Sequence, residues 1–433
     1  MSGPLSGLKV VDFSRVLAGP LCARTLADLG AEVIKVEPPR ADASRFSAPY
    51  RANGVTGYFA QQNTGKRNIS IDLNKESARA IAIKLCEDAD IVIENFRPGA
   101  LAAFGLDYES LSARNPKLVY VSISGYGQAG PWSRRMAYAP TIQAEAGFTF
   151  HSRRHFGENL AAPQTDALSH ADVYTGLQGV IAVLSAIHSR SVTGRGQYVD
   201  VCMLATMMSI NEHAHIDLNG LDTGDEPAIL GATSGSFFSG PNGEQFISAT
   251  SLVSTITFQF FIAAMRRPDL ADDPRFRTAT DRKTNLEALT KIVQAWIYTF
   301  PDLASLDAQL DEAKIAMGEV KSLSEVATSD WAEYWGATHA VSDRADGTYN
   351  LPSRPWKFSS GDLPEPGDPA LQGEHNAEIC GEYGYSNDEI AQMTENGALI
   401  GNFAAVISSL IIDRVGDVYN QSKAEESPRG EQG

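Results

Sequence analysis

One carboxylate stands at the mouth of a long apolar run: Asp172, in HADVYTGLQGV (170–180). An aspartate in that position has two readings. It can cap the helix that follows, where an anion suits the positive helix end. It can also present a reactive oxygen among backbone N–H donors able to steady negative charge growing on a substrate. The residues alone leave both open. Cations form the second group: Arg15, Arg40, Lys66, Arg67 and Arg97, with Asn63-Thr-Gly-Lys-Arg67 a compact turn bearing two of them. Clustered cations hold phosphates or are simply solvated surface charge. The eight histidines form no HxxxH or HExxH, and the four cysteines (Cys22, Cys86, Cys202, Cys380) form no CxxC, so no metal site is expected. A GxGxxG loop after the first strand, a GxxxxGK[ST] loop and a GxSxG elbow are all missing. Nicotinamide binding, a P-loop and an α/β-hydrolase therefore lose their sequence support.

The elements that must position these groups alternate. LKVVDFS (8–14), EVIKVE (32–37), IVIENF (91–96) and LVYVSISG (118–125) read as strands. LAGPLCARTLADLG (17–30) and KESARAIAIKLCEDA (75–89) read as helices, the second with Leu73, Ile81 and Leu85 on one side. That βαβ rhythm predicts a parallel sheet with helices on its faces, and a ligand beyond the carboxyl ends of the strands. Val173, Leu177, Val180, Leu184 and Ile187 predict a helix with a buried stripe. TGRGQYVDVCML (193–204) reads as a turn, a strand and a helix. A Gly/Thr/Asp-rich stretch near 222–235 changes the texture. SGPNGEQFISAT (239–250) then predicts a hairpin, with helices over 256–265, 284–299 and 302–313.

A chain of 433 residues exceeds one small core. A net charge of −17 argues against nucleic acid as a partner, though a local basic pocket for a small anion remains compatible with it. The start, MSGPLSGLKVVDF, lacks the features of a signal peptide, and scattered cysteines suit a reducing compartment, so a cytoplasmic location is expected. The apolar stretch 398–412 is broken by Gly401 and Asn402 and is short for a membrane span of about 20 residues; it reads as a packed terminal helix.

Taken together, LKVVDFSRVLAGPLCARTLADLGAEVIKVEPP, NTGKRNISIDL, IVIENFRPGALAAFGL, VSISGYGQAGP, DVYTG with TGRGQYVDVCML, PWKFS and GEHNAEI resemble the class III CoA-transferase family. That family includes formyl-CoA transferase, crotonobetaine–carnitine CoA-transferase and α-methylacyl-CoA racemase. Order and spacing fit from residue 5 to about 398. The resemblance implies an α/β fold: a large Rossmann-like domain from both chain ends (1–220 and 331–433), a smaller central α+β domain (221–330), and two subunits interlocked as a homodimer. It implies coenzyme A, carried as an acyl-CoA substrate with no permanently bound cofactor, and a free carboxylic acid as the other substrate. It makes Asp172 the nucleophile, passing through a mixed anhydride and then an aspartyl-CoA thioester. It assigns CoA contacts to Arg15, Val16, Ala18, Arg40, Lys66, Arg67, Asn95 and Phe96.

Two departures narrow the chemistry. Leu17 stands where formyl-CoA transferases carry Gln, and Ala139 where they carry Glu, so formate and oxalate are not the expected acids. Racemases place a His within the stretch that here reads Ala137-Tyr138-Ala139, and a two-base racemase needs a proton donor on each face of the carbon. Tyr138 matches a transferase tyrosine; Tyr138 and Gln143 are candidates for the acyl pocket. Arg153 or Arg154 is a candidate partner for the second carboxylate of a dicarboxylic acceptor. The expected function is acyl-CoA:carboxylate CoA transfer. The alternatives are an isomerase moving CoA within one dicarboxylate, a racemase, and a non-catalytic CoA-binding subunit.

Overall fold

The computed structural model describes residues 3–150, 168–212, 214–220 and 236–401. Arg153, Arg154 and the apolar stretch beyond Gly401 lie outside them. The described residues divide into two compact units. One takes the chain up to Asn211 and resumes at Gly336; the other runs Glu212–Trp335.

The first unit is built on six parallel strands: β1 (Lys9–Asp12), β2 (Glu32–Glu37), β3 (Arg67–Ser70), β4 (Ile91–Glu94), β5 (Val119–Ser124) and β6 (Gln197–Cys202). Their order is β3-β2-β1-β4-β5-β6. The order reverses between β1 and β4, where Val10 pairs with Ile91 and Asp12 with Ile93. A crevice opens at such a switch point, beyond the carboxyl ends of the two strands.

Side chains alternate across the sheet because successive residues of a strand point to opposite faces. Val10, Val33, Ile91, Ile93, Val119, Val121 and Ile123 pack with α1 (Ala18–Asp28) and with the long helix His170–Thr193. Val11, Ile34, Val36, Ile69, Val92 and Tyr120 pack on the other face against Ile81, Leu85, Ile379 and Met393. Among the described residues the other α-helices before the long one are α2 (Gly57–Asn63), α3 (Glu76–Asp88), α4 (Tyr108–Ser112) and α5 (Ala139–Glu145); His170–Thr193 is called α6.

Strand β3 was not anticipated from the sequence. It is short, with one apolar residue between Asn68 and Ser70, and takes its partners from a distant stretch. His375 Nδ1 accepts from Asn68 N at 3.1 Å, Asn376 Oδ1 accepts from Ser70 N at 2.9 Å, and Ile400 N donates to Ser70 O at 2.9 Å. The returning chain thus covers an edge that would otherwise expose its backbone.

The second unit has its own core. Antiparallel β7 (Ser236–Ser239), β8 (Gln245–Ser248) and β9 (Met317–Glu319) place Phe238 and Phe246 beside Phe258, Phe261, Leu289 and Leu306. Its helices 255–265, 286–297 and 303–312 fall within two residues of those the periodicity predicts.

Candidate active site

Asp172 does not cap its helix. Helix α6 begins at His170 with Ser169 as the N-cap, so Asp172 is already inside the first turn. The Ala171 N–H is taken by Gln143 Oε1 at 3.3 Å, and Thr175 Oγ1 donates to Ala171 O at 2.5 Å. The Asp172 carboxylate instead meets the backbone N–H of Ala18, the first residue of α1. Two glycines on α6 allow that approach. A Cβ on Gly176 would stand 2.7 Å from Ala18 O, and one on Gly179 3.1 Å from Cys22 Sγ. Burial pushes Asp172 up to about 6, the Ala18 N–H offsetting part of the effect. Among the described residues no cation pairs with it.

Side chains hold five backbone groups of the loop between β1 and α1, at Ser14, Arg15 and Val16. Asp12 accepts from Ser14 N at 2.9 Å, and Lys35 Nζ donates to Ser14 O at 2.8 Å. Asn95 Oδ1 accepts from Arg15 N and its Nδ2 donates to Arg15 O, both at 2.8 Å. Asp42 accepts from Val16 N at 3.1 Å. Gly19 fits against Ser14 only without a side chain, since a Cβ there would lie 2.2 Å from the Ser14 Cβ.

Beneath this loop lies a set of buried ions. Lys66 Nζ reaches Asp12 Oδ2 at 2.9 Å, Pro20 O at 2.9 Å and Asn63 Oδ1 at 3.0 Å; Lys35 Nζ pairs with Asp42 at 2.9 Å. Burial works to raise both aspartates. The neighbouring ammonium groups outweigh it, holding Asp12 below the usual carboxylate range and Asp42 down to about 2. Arg45 completes the set, bonding Glu37 at 2.6 Å with its guanidinium 3.6 Å from the Phe59 ring centre.

A cleft of about 410 Å³ opens at the carboxyl ends of β1, β4 and β5. Of the residues expected at the site, Arg15, Val16, Ala18, Asn95, Phe96, Tyr138 and Asp172 line it together. Arg15 lies over Phe96, 4.8 Å from its ring centre. Gly125 also borders the cleft; a Cβ there would stand 2.1 Å from that of Ala137, so the segment through Tyr138 runs against the end of β5. The other expected residues lie elsewhere. Lys66 is buried in the ion network. Arg67 bonds Glu32, Glu378 and Glu382, each at 2.8 Å. Arg40 is exposed on the loop after β2, and Gln143 is buried behind α6.

Three further residues belong to the site, two of which, Arg135 and Tyr58, the sequence did not single out. Arg135 lines the cleft beside Tyr138, and Arg97 lines it beside Phe96. Tyr58, on α2, is pushed up to about 12 by burial and by the charges of Asp172 and Asp42. Arg97 was noted only as one of several loop cations. Tyr58 offered no local signal, because its helix is short and meets α6 only in space.

A second pocket of about 210 Å³ adjoins through Phe96, lined by Phe13, Val36, Pro38, Leu73 and Phe104 among others. No helix among the described residues is long and apolar enough to cross a membrane.

Comparison with known proteins agrees with this geometry. The profile of CoA-transferase family III matches residues 5–376. The chain is 31% identical over 393 residues to the succinyl-CoA:mesaconate CoA-transferase of Haloarcula hispanica, covering 88% of this chain and 97% of that one. It is 29% identical over 420 residues to the formyl-CoA:oxalate CoA-transferase of Streptomyces avermitilis, covering 92% and 100%. The crystal structure of a CAIB/BAIF family protein from Brucella suis superposes with a TM-score of 0.73 at 33% identity, over 88% of this chain and all of that one. The pinned loop, the crevice and the match along nearly the whole chain lead to one conclusion: this protein belongs to CoA-transferase family III and is an enzyme of that class.

Proposed function

We propose that the cleft takes an acyl-CoA thioester and that Asp172 is the nucleophile that moves CoA to a second carboxylic acid. One observation carries this reading: a half-buried carboxylate with no cation beside it faces a helix N–H in a cleft lined by Arg15, Arg97 and Arg135. A carboxylate stripped of water is a stronger nucleophile than a solvated one, and covalent catalysis divides a hard exchange into easier steps.

Asp172 attacks the thioester carbonyl and CoA leaves as thiolate, giving a mixed anhydride. The thiolate then attacks the aspartyl carbonyl, releasing the donor acid and leaving an aspartyl-CoA thioester. The acceptor carboxylate attacks that thioester, and the first two steps run backwards to yield the new acyl-CoA and free Asp172. The Ala18 N–H, at the positive end of α1, is placed to steady charge on the aspartyl oxygens. The Phe96-lined pocket suits an adenine ring, Arg15 and Arg97 suit the phosphates, and pantetheine crosses the crevice between β1 and β4. Lys66 and Lys35 act from below, holding the loop that the thioester would contact. Mesaconate in a relative's name favours a dicarboxylic acid as acceptor.

Leu177 and Leu184, expected in the buried stripe of this helix, instead lie exposed along α6 with Tyr174 and Ile181, at spacings of three and four. Such a stripe supports a homodimer of this chain.

The test is chemical trapping. Incubation with an acyl-CoA and hydroxylamine should convert Asp172 to a hydroxamate, seen as a mass change on its peptide. Labelled acyl-CoA mixed with unlabelled acid should exchange label; its failure to do so would point to transfer within one molecule.

A further inference from the structure

Resting on the reading of the cleft as an acyl-CoA site, we infer that Arg135 recognises a free carboxylate at the far end of the acyl chain, so that the acyl group is that of a dicarboxylic acid. The order of the loops along the sheet places this arginine at the acyl end. The pocket suited to adenine lies beyond β3, β2, β1 and β4, bordered by Leu73, Val36, Phe13 and Phe96, Arg15 and Arg97 follow β1 and β4, and Arg135 follows β5, the next strand away from β3. A thioester laid from the nucleotide pocket across the crevice to Asp172 presents its acyl group toward the β5 side.

The arginine is built as a receptor. Its guanidinium sits 4.8 Å from the Tyr126 ring centre and 5.0 Å from that of Trp132, the two rings meeting edge to face at 5.9 Å. Nη2 bonds Glu145, whose other oxygen accepts from Tyr126 Oη at 2.8 Å. Packing against two aromatic faces and one fixed bond removes the rotamer freedom that binding would otherwise cost. A guanidinium has five N–H donors in a planar fork, so with Nη2 held by Glu145 the Nε and Nη1 donors remain for a ligand. The side chain is 45% exposed, although the acidic chain could have buried it in ion pairs as it does Lys66 and Arg45.

The experiment compares two thioesters of equal chain length, succinyl-CoA and butyryl-CoA, with wild type and Arg135→Gln. Wild type should prefer succinyl-CoA. The variant should lose about 30- to 300-fold in kcat/KM for succinyl-CoA and stay within about threefold for butyryl-CoA, as expected when one polar contact is withdrawn from a matched substrate. An equal loss for both thioesters, or no loss for either, overturns the inference. If Arg135→Gln melts early, Arg135→Lys carries the same comparison, with a smaller but still selective loss. A wild type that prefers butyryl-CoA also overturns it, while leaving trapping at Asp172 intact. A wild type that forms no Asp172 adduct with any thioester instead overturns the reading beneath it.

Discussion

The first turn of α1 is gripped by two sets of charges that obey opposite rules. From below, Lys66 holds Pro20 O and is itself matched by Asp12, with side chains 1% and 0% exposed. From the cleft side, Asp172 meets the Ala18 N–H and has no opposite charge. Burial raises the cost of charge in both places, but only the lower set is compensated. The fold pairs Asp12, Lys35, Asp42 and Lys66 with one another and leaves Asp172 single, which is what the proposed nucleophile requires.

Removing Asp172 breaks the comparison most severely. Asp172→Ala should lower CoA exchange by at least about 10³-fold, because the proposed covalent path needs this carboxylate, while CoA binding measured by calorimetry changes by no more than a few fold. Appreciable turnover in that variant would mean the single carboxylate is not the nucleophile.

The lower set should respond in stability. Lys66→Met strands Asp12 in the interior and is expected to cost roughly 3–5 kcal/mol in urea unfolding, as when one partner of a buried pair is removed. Arg67→Ala, one residue on, removes contacts to carboxylates that are 29%, 58% and 46% exposed and should cost about 1 kcal/mol or less. Equal costs for the two would erase the distinction between structural and solvated cations.

That pair also shows where sequence reading stops. Both cations sit in one turn, NTGKR, and nothing local separates them. Lys66 turns inward because Asp12, at the end of β1, lies beneath it; Arg67 starts β3 and meets glutamates from β2 and the returning chain. Strands β1, β2, β4 and β5 and helix α3 were legible because their apolar periodicity is local. Strand β3 and helices α2 and α5 are short, and their partners are more than a hundred residues away or on other elements. Asp172 was legible as a choice between cap and nucleophile. Only the register of α6, set by Ser169, Gly176 and Gly179, removes the cap reading.

The pH dependence sharpens the same contrast. With Asp172 near 6, the proposed nucleophile is protonated as pH falls, and kcat/KM should drop about tenfold per unit below pH 6. Stability runs the other way. The native state binds this proton more tightly than the unfolded chain, so the ionised group costs stability at pH 8 and nothing below about pH 4, where both states are protonated. Asp172→Asn should therefore be more stable than wild type by roughly 1–3 kcal/mol at pH 8. The gain should shrink through the window from pH 6 to 4. A variant equally stable with wild type at both pH values would show that the carboxylate is well solvated and the cleft wet.

The smallest effect is expected at Val16, where the two sets meet. Its N–H is held by Asp42 from below, and the residue, 43% exposed, lines the cleft above. Its φ of 69° lies in the left-handed region, which a β-branched residue rarely occupies. Such a conformation costs an L-residue about 1–2 kcal/mol, and glycine escapes that cost while giving up about 0.5–1 kcal/mol of chain entropy. Val16→Gly should thus be neutral or more stable by up to about 1 kcal/mol in thermal melts. It should also raise KM for acyl-CoA about 3- to 10-fold, because an apolar wall of the cleft is lost. Strain retained where glycine would relieve it implies that the side chain is needed by the ligand. A destabilised Val16→Gly with unchanged KM would reverse that, making valine part of the buried network's scaffold and not of the cleft.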